Sequence, residues 1–451
     1  MKVAHAACVV LFCALTGCAG HDAKTLAARN ALDAGDPRGA LKALNEELDV
    51  SSEKDLPEKT GGDNALLLLD RAMVLQELEK YPLSSRDLES SDKQIEVLDL
   101  SANAAADIGR YLFSDDVGPY KAPAYEKLMI NTMNMMNYLA RSDLNGARVE
   151  ARRLAVMQKF TRDSGDAAQA LLGPGSYLAG FVFEKSGKPD DALRYYDEAL
   201  AYGQYHSLAE PIRRLTQQSS FSSPRIKALL AKSAAGAADT SAPADAPRDD
   251  DAELLVMVNF GRVPAKVAKR IPIGLALTYA SGFISPMDQV QANKLAAQGL
   301  VTWINYPELG RPRGTYGRPT FMLDGQWGRL EGIVAVDQEA KRAWDKARGA
   351  IIASAITRLI ARVVTGETAK KVAGGGLFGE LLSLGTQATL TATDTPDTRN
   401  WSTLPARIAF GRVRIHAGTH VVTLSAAGGN KRQSITVAPN GWAVVNLTAL
   451  N

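Results

Sequence analysis

Few residues in this 451-residue chain have a type and spacing suited to covalent chemistry. All three cysteines, Cys8, Cys13 and Cys18, lie within the first 18 positions. Thiol catalysis and cysteine metal sites farther along the chain are therefore excluded. His416 and His420 are four positions apart, but the sequence offers no third ligand beside them. Phosphate loops, zinc helices and nucleophile elbows are also missing from the sequence, so we predict no catalytic residue, no metal and no cofactor.

Cys18 is the cysteine whose surroundings indicate a reaction. Lys2, an apolar run over 3–14 and the tripeptide Leu-Thr-Gly precede it. An apolar stretch this short is typical of a signal peptide rather than of a membrane span. The sequence Leu-Thr-Gly-Cys resembles a bacterial lipoprotein signal, which implies removal of residues 1–17 and attachment of a diacylglycerol to the Cys18 thiol. The alternative is a plain secretory signal with a chance cysteine.

The residue after Cys18 bears on location. Ala19 stands where many inner-membrane lipoproteins have an aspartate, which favours the periplasmic face of the outer membrane, with the acylated Cys18 as the membrane contact. Without Lys2 the net charge falls from +3 to +2. This balance is too small to indicate a nucleic-acid partner.

Arginine and tryptophan recur together at two places and suggest a binding surface. A helix predicted over 337–372 brings three arginines to one edge, beside Trp344. The segment 397–405 repeats the pairing. Both residue types are frequent at interface hot spots. We predict one partner-facing surface, and its residues are Arg348, Arg358, Arg362, Arg399 and Trp401. The alternative is that each tryptophan anchors a core and each arginine is its solvated neighbour.

The first half of the chain is predicted to consist of paired helices. In the stretch 173–202, Gly180, Ala192 and Tyr196 have the spacing of a 34-residue tetratricopeptide unit. Small residues let two helices approach, and aromatic side chains fill the groove between them. One unit cannot bury its own apolar face, so we expect neighbouring units. Further candidate pairs cover 22–48, 65–98 and 125–160.

The second half changes character after a segment rich in Ala, Ser, Pro and Asp, which we predict to be a linker over 221–252. Beyond it we expect strands, the long helix, and two β-hairpins that join 407–415 to 420–425 and 434–438 to 442–447. The predicted fold class is α+β: an N-terminal α-helical tetratricopeptide-like repeat array over 18–220, then a smaller α+β domain over 253–451 with a long helix and C-terminal β-hairpins. We expect the two parts to be separable.

Several stretches together resemble a known group of proteins. They are Asn-Tyr-Leu-Ala at 137–140, the run at 148–153, the repeat at 176–199 and Asp-Thr-Arg-Asn-Trp-Ser-Thr-Leu-Pro at 397–405. They look like an uncharacterised family of bacterial outer-membrane lipoproteins with tetratricopeptide-like repeats, over most of the mature chain. Members are commonly encoded beside other envelope lipoproteins, including relatives of the curli secretion lipoprotein and of a penicillin-binding-protein activator. The resemblance implies no catalytic residue.

These observations favour a non-enzymatic scaffold in envelope or surface-structure assembly. The concave face of the repeats would hold a helix or an extended peptide from another envelope protein, and the acylated Cys18 would fix the complex at the membrane. Curli-secretion-like and penicillin-binding-protein-activator-like lipoproteins are the expected partners. The alternative is a regulator of cell-wall synthesis acting with such an activator, or an envelope enzyme.

Overall fold

A computed structural model describes residues 20–97, 120–163, 171–239, 251–299, 301–372 and 396–451. The predicted signal at 1–17 and Cys18 lie outside these ranges. The mixed α+β class is confirmed: helices dominate up to Asp239, and strands with further helices follow from Asp251. A helix with the length and apolar composition of a membrane span does not occur within the described ranges.

Helices of the first half pack as consecutive pairs. After the short α1 (His21–Lys24), the pairs are α2 (Leu26–Asp33) with α3 (Pro37–Glu47), α4 (Asp63–Glu77) with α5 (Tyr81–Asp92), α6 (Ala124–Ala140) with α7 (Leu144–Asp163), and α8 (Leu172–Lys185) with α9 (Pro189–Tyr202). Two short parallel strands, β1 (Glu96–Val97) and β2 (Lys121–Ala122), lie between α5 and α6 in the chain. A 3₁₀ turn (His206–Leu208), α10 (Ala209–Leu215) and α11 (Pro224–Asp239) complete this half.

The first helix of the central pairs is buried on every side. All residues from 65 to 76 in α4 are buried, and so are all from 172 to 183 in α8. A helix that is covered all round must have neighbours on both faces. The partner helix of each pair covers one face, and strands of the second half cover another, because β12 (Trp442–Ala449) contacts both α4 and α6.

Two four-stranded sheets lie against each other in the second half. The first has the order β12-β3-β9-β8 and the second β11-β10-β6-β7. The remaining bounds are β3 (Asp251–Phe260), β6 (Thr320–Leu323), β7 (Gln326–Gly328), β8 (Glu331–Ala335), β9 (Arg407–His416), β10 (Gly418–Ala426) and β11 (Gly429–Val437). Alternate residues of β3 point to opposite faces, so Leu255 packs in the cluster shared with the helices and Leu254 in the cluster between the sheets. The first sheet is therefore buried on both faces.

A smaller unit packs around a hydrophobic cluster of its own. Strands β4 (Lys266–Pro272) and β5 (Trp303–Leu309) pair with each other, and helices α12 (Ile273–Ala280), α13 (Pro286–Ala297) and α14 (Val336–Val372) surround them. Ile304 of β5 and Ile352 of α14 are fully buried in this cluster. The long helix predicted over 337–372 is present as α14.

Both predicted C-terminal hairpins are wrong. Strand β9 pairs with β3 and β8, and not with β10. Strand β10 pairs instead with β11, through a turn at Ala427 and Gly428 that both have positive φ. Strand β12 runs parallel to β3. The reason is that the chain passes from one sheet to the other at Ala417, so neighbouring strands in the sequence belong to different layers.

The segment predicted as a linker is ordered where it is described. Residues Pro224–Asp239 form helix α11. The segment has few large apolar residues, which suggested a linker, but it is rich in alanine, which has the highest helix propensity. Residues 240–250 lie outside the described ranges. The helices of the first half and the first sheet of the second half share one hydrophobic cluster. In this cluster the rings of Tyr177 and Phe410 stack with their centroids 4.8 Å apart. A shared core opposes separate folding of the two parts, although the boundaries at 220 and 253 stay predictions.

Candidate functional site

Trp401, one of the predicted partner-binding residues, lies in the protein interior. Its side chain is fully buried, and its indole Nε1 donates to the carbonyl oxygen of Leu69 at 3.1 Å. Its backbone N–H donates to the carboxylate of Glu126 at 3.2 Å. Both N–H groups of Trp401 are thus hydrogen-bonded to helices, the indole N–H to α4 and the backbone N–H to α6.

Arg399 is buried beside it, with 2% of its surface exposed. Its Nε and Nη2 donate to the two carboxylate oxygens of Asp397 at 2.8 and 2.9 Å. Burial alone would raise the pKa of Asp397, but the Arg399 guanidinium overcomes burial and holds that pKa below its usual value. The pair is a bidentate contact, the strong form of a charged hydrogen bond, and Arg399 Nη1 also lies 3.8 Å from the Asp63 carboxylate.

The rest of this segment docks on one carboxylate of α4. Asp70 is fully buried and accepts from the backbone N–H and the hydroxyl of Thr403, both at 2.9 Å. Ser402 donates to the same oxygen at 3.2 Å. The segment 397–405 is therefore an internal joint between the C-terminal half and helix α4.

The arginines of α14 lie in a different part of the fold. Arg348 is half-buried and places its guanidinium carbon 4.6 Å from the ring centroid of Tyr279 on α12. Arg358, also half-buried, donates to the hydroxyl of Ser354 at 3.2 Å. The side chain of Arg362 is outside the described residues. Trp344 is buried in the cluster of the smaller unit.

These positions correct the prediction of a single partner-facing surface. Arg399 and Trp401 belong to the core shared with the helices, whereas Arg348 contacts α12 of the smaller unit. A tryptophan side chain offers more apolar area than any other, so burying the indole is strongly favourable in free energy. This favours a place in the core over a place on a partner-facing surface. The alternative interpretation, a tryptophan as core anchor, describes Trp401 correctly.

An open groove of about 880 Å³ lies between the 3₁₀ turn with α10 on one side and strands β6, β7 and β9 on the other. Trp327 on β7 lines it with 72% of its surface exposed. β7 is an edge strand, paired with β6 on one side only within the described sheet. The groove thus combines an exposed indole with the free edge of a sheet.

A buried ion cluster lies beneath this groove and joins the two halves. Arg412 of β9 donates to both carboxylate oxygens of Glu184 on α8 at 2.8 Å and also to Glu253 on β3. Its Nη1 donates to the hydroxyl of Tyr196 at 2.8 Å. Burial alone would raise the pKa of Glu253, but Arg412 and then Lys185 outweigh it and hold that pKa below the usual value. The cluster keeps two carboxylates charged inside the protein.

A contact between His420 and Asp324 holds the turn between β6 and β7 at one side of the groove. The turn between β6 and β7 contains Asp324 and Gly325, both with positive φ, as a type I′ hairpin turn requires. The Asp324 carboxylate accepts from the backbone N–H of Val421 and lies 2.7 Å from His420 Nδ1. His420 Nε2 lies 2.8 Å from the carbonyl oxygen of His416. Both ring nitrogens face oxygen atoms that can accept, so this geometry favours the protonated ring, which donates from both nitrogens.

The groove was not predicted, although the sequence contains one signal for it. The dipeptide Asp-Gly at 324–325, between a strand and Trp327, is typical of a tight β-hairpin. That rule places Trp327 on the second strand of a hairpin, although the position of this strand at the sheet edge is visible only in the structure. The arginine cluster could not be found in this way, since Glu184, Glu253 and Arg412 are far apart in the sequence.

Groups of three or more histidine, cysteine, aspartate or glutamate residues arranged for a metal ion do not occur in the described part of the chain. His416 and His420 are joined through a backbone carbonyl and not through a shared site. No protein-family model matches the chain, and no curated protein matches it either, so the family resemblance stays a prediction.

Proposed function

We propose that this protein is a lipid-anchored scaffold of the bacterial outer membrane, facing the periplasm, that binds an extended segment of another envelope protein without performing a reaction. The observation that carries the proposal is the groove with Trp327 at the edge of β7. An exposed strand edge is a template for an added strand, and an exposed aromatic residue beside it is a typical anchor for a bound peptide.

The start of the described chain supports a short tether. His21 is buried beside Asp70, with 3.3 Å between Nε2 and the carboxylate. Asp22 bonds Thr398 through both its backbone N–H and its carboxylate, at 3.2 and 3.0 Å. Only Ala19 and Gly20 separate His21 from Cys18. An acyl chain on Cys18 would therefore hold the folded body close to the membrane surface.

The packing of α8 on α9 supports a tetratricopeptide-like unit. A Cβ atom at Gly180 would collide with the ring of Tyr196, so the glycine is needed where the two helices cross. Ala192 is fully buried at the same crossing. Where α6 meets α7 a glycine again faces a tyrosine ring, but with the helices exchanged, because Gly146 belongs to the second helix and Tyr138 to the first. We infer that both pairs are units of one array.

The binding surface proposed here differs from the one expected for bare repeats. Solenoids usually bind peptides on the face lined by the first helix of each pair. In this chain those helices contact strands of the second half, as the Trp401 bond to α4 and the Phe410 stack on α8 illustrate. The chain thus occupies that face itself, and the groove at β7 is the open position.

A matched pair of tryptophan variants tests the proposal. The lipidated protein is purified from its own membranes as wild type, as Trp327→Ala and as Trp303→Ala, and the proteins recovered with it are identified. Trp303 is also exposed, at 48%, but lies on β5 of the smaller unit. We expect Trp327→Ala to lose a partner that wild type and Trp303→Ala both retain.

A photo-crosslinking residue placed at Gln326 should then label the same partner. Gln326 lines the groove and belongs to the edge strand. The scaffold proposal fails if wild type and Trp327→Ala recover the same proteins in the same amounts, or if the wild type turns over a cell-wall substrate after purification alone.

A further inference from the structure

A second cavity, of about 300 Å³, lies between helix α2 and the loop that follows β5. Four arginines line it: Arg29, Arg262, Arg311 and Arg313. Arg29 comes from α2, Arg262 from the segment that follows β3, and the other two from the loop. The fold therefore gathers four guanidinium groups from separate elements at one place.

The cavity has a large excess of positive charge. Asp33 is the one carboxylate among the described residues that line it. It is shared, since it bonds the Nη2 of Arg262 and lies 3.7 Å from the Nη2 of Arg313. Arg311 has no carboxylate partner among the described residues. One negative charge among four positive ones leaves a surplus of three.

Two donors of this cluster lack acceptors among the residues that the structure describes. The Nε atoms of Arg29 and Arg262 are buried and have no hydrogen-bond partner in the described structure. Arg262 is 98% buried. Buried polar groups are nearly always satisfied, and one that is not needs an explanation such as a missing ion.

Electrostatics supports the same view. Burial lowers the pKa of Arg262 and the Asp33 carboxylate acts against it, while the Arg29 and Arg313 charges lower that pKa further. Burial also lowers the pKa of Arg29 and outweighs the Asp70, Asp22 and Asp33 carboxylates, which raise it, while Arg313 adds to the lowering. These side chains are charged in a place that lacks enough counter-charge, so an anion would be stabilised there.

We propose that this cavity binds a phosphate monoester or inorganic phosphate. Planar guanidinium groups match the oxygens of a phosphate with paired hydrogen bonds, and a phosphate carries close to two negative charges at neutral pH. A monocarboxylate would leave two of the three surplus charges uncompensated. The phosphate is either free or the headgroup of a lipid.

The lipid source rests on the proposed anchoring. Arg29 follows Cys18 by 11 positions and belongs to α2, and the short helix α1 lies between the two residues. An acylated Cys18 would keep the cavity near the membrane surface, within reach of a headgroup phosphate. A free phosphate does not depend on the anchor.

The test uses the mature full chain with Cys18→Ser, so that acylation plays no part. Thermal unfolding and calorimetry are recorded with inorganic phosphate and with sodium chloride at equal ionic strength. Phosphate is expected to raise the melting temperature and chloride is not. Because Arg311 and Arg313 are exposed, the double variant Arg311→Gln with Arg313→Gln should fold and should bind phosphate more weakly by about tenfold or more.

Arg318→Gln is the matched control, an exposed arginine of the same loop that does not line the cavity. It should bind phosphate like the wild type. Flotation with vesicles of phosphatidic acid or of phosphatidylglycerol identifies the source. Binding to the phosphatidic acid vesicles alone, competed by free phosphate, assigns a headgroup, whereas phosphate binding without flotation assigns the free ion.

The proposal is overturned if chloride has the same effect as phosphate, or if the double variant binds phosphate like the wild type. Neither result bears on the groove at β7, because partner recovery is measured on the lipidated protein with intact arginines. Failure of the phosphate site and failure of the scaffold function are therefore separate outcomes.

Discussion

Trp401 donates its indole N–H to the backbone carbonyl oxygen of Leu69, 3.1 Å away and 332 positions earlier in the chain. The donor belongs to the segment before β9 and the acceptor to the middle of α4. A residue of the second half is thus part of the core of the first.

This bond gives a first prediction, that the two halves unfold as one. Trp401→Ala should destabilise the protein by about 3 to 5 kcal/mol, because it leaves a large cavity between α4, α6 and the sheet. Helix content by circular dichroism and tertiary structure by fluorescence should be lost at the same urea concentration, in wild type and variant alike.

Trp303→Ala is the control, with a smaller loss because Trp303 is half-exposed. Two separate transitions in the wild type, with only the second shifted by Trp401→Ala, would contradict the coupling. Such a result would restore the original expectation of two separable parts.

A second prediction concerns the buried cluster of Arg412. Replacing Arg412 by Met leaves Glu184 and Glu253 charged and buried without their main partner, which should cost about 3 to 5 kcal/mol of unfolding free energy at pH 7. Arg414→Met, on the same strand but 32% exposed, should cost less than about 1 kcal/mol. Urea unfolding of the two variants measures the difference.

The dependence of stability on acidic pH should provide a second test of the same cluster. The pKa values of Glu184 and Glu253 are below their usual value, where burial is outweighed by Arg412. The stability they contribute is present above pH 4.5 and is lost as pH falls through the lowered pKa values. The difference in unfolding free energy between wild type and Arg412→Met should therefore become smaller in acid. A difference that grows would show that the charged carboxylates do not cause the loss of stability.

The third prediction follows from Glu77 of α4. Burial raises its pKa to about 7, although the backbone N–H of Leu450 donates to it at 3.2 Å. The folded state then binds the proton more tightly than the unfolded chain, so this stability is full below pH 4.5 and is lost as pH rises through 7. Glu77→Gln should be more stable than wild type at pH 8, by at most on the order of 3 kcal/mol.

At pH 4 the Gln variant and the wild type should have equal stability. Glu58→Gln, an exposed residue of the loop before α4, should change nothing at either pH. Calorimetric melting at both pH values is the measurement, and a Gln variant less stable than wild type at pH 8 would refute the prediction.

The fourth prediction concerns the charge on His420 at the groove. The Asp324 carboxylate raises its pKa above the ordinary value, and the His416 carbonyl adds to the effect. The stability from this contact is present below pH 6.5 and is lost as pH rises through the raised pKa. Titration by nuclear magnetic resonance should show a lower His420 pKa in Asp324→Asn than in wild type.

Asp345→Asn, an exposed carboxylate of α14, should leave the His420 titration unchanged. If Asp324→Asn leaves it unchanged as well, the ring is not held by that carboxylate.

The helices up to Tyr202 were largely predictable from this sequence, whereas α11, α12 and the strand partners were not. The run Leu66 to Leu69 is apolar on all sides, which indicates a buried helix, yet only the structure shows that β12 and Trp401 cover its second face. Local spacing determines a helix, whereas β12 and β3 pair across almost 190 positions. A pattern within one strand does not name its neighbour.

The same limit explains the candidate site. Arginine and tryptophan at 399 and 401 were recognised as unusual, but the direction they face depends on Asp70 and Leu69, more than 300 positions away. Trp327 carried a local signal in the Asp-Gly turn. The four arginines of the cavity carried none, because they meet only through the contact of α2 with the loop after β5.

The joint at Trp401 also sets an order of events during synthesis. Helix α4 leaves the ribosome long before residues 397–405 exist, so its inner face must wait uncovered while most of the chain is made. Local helix pairs form in microseconds, but contacts between distant segments are slow and leave apolar surface exposed in the meantime. We therefore expect this protein to be most prone to aggregation while the helical half has been made and is still uncovered. This exposure ends only when the C-terminal strands have been synthesised and pack on the helices.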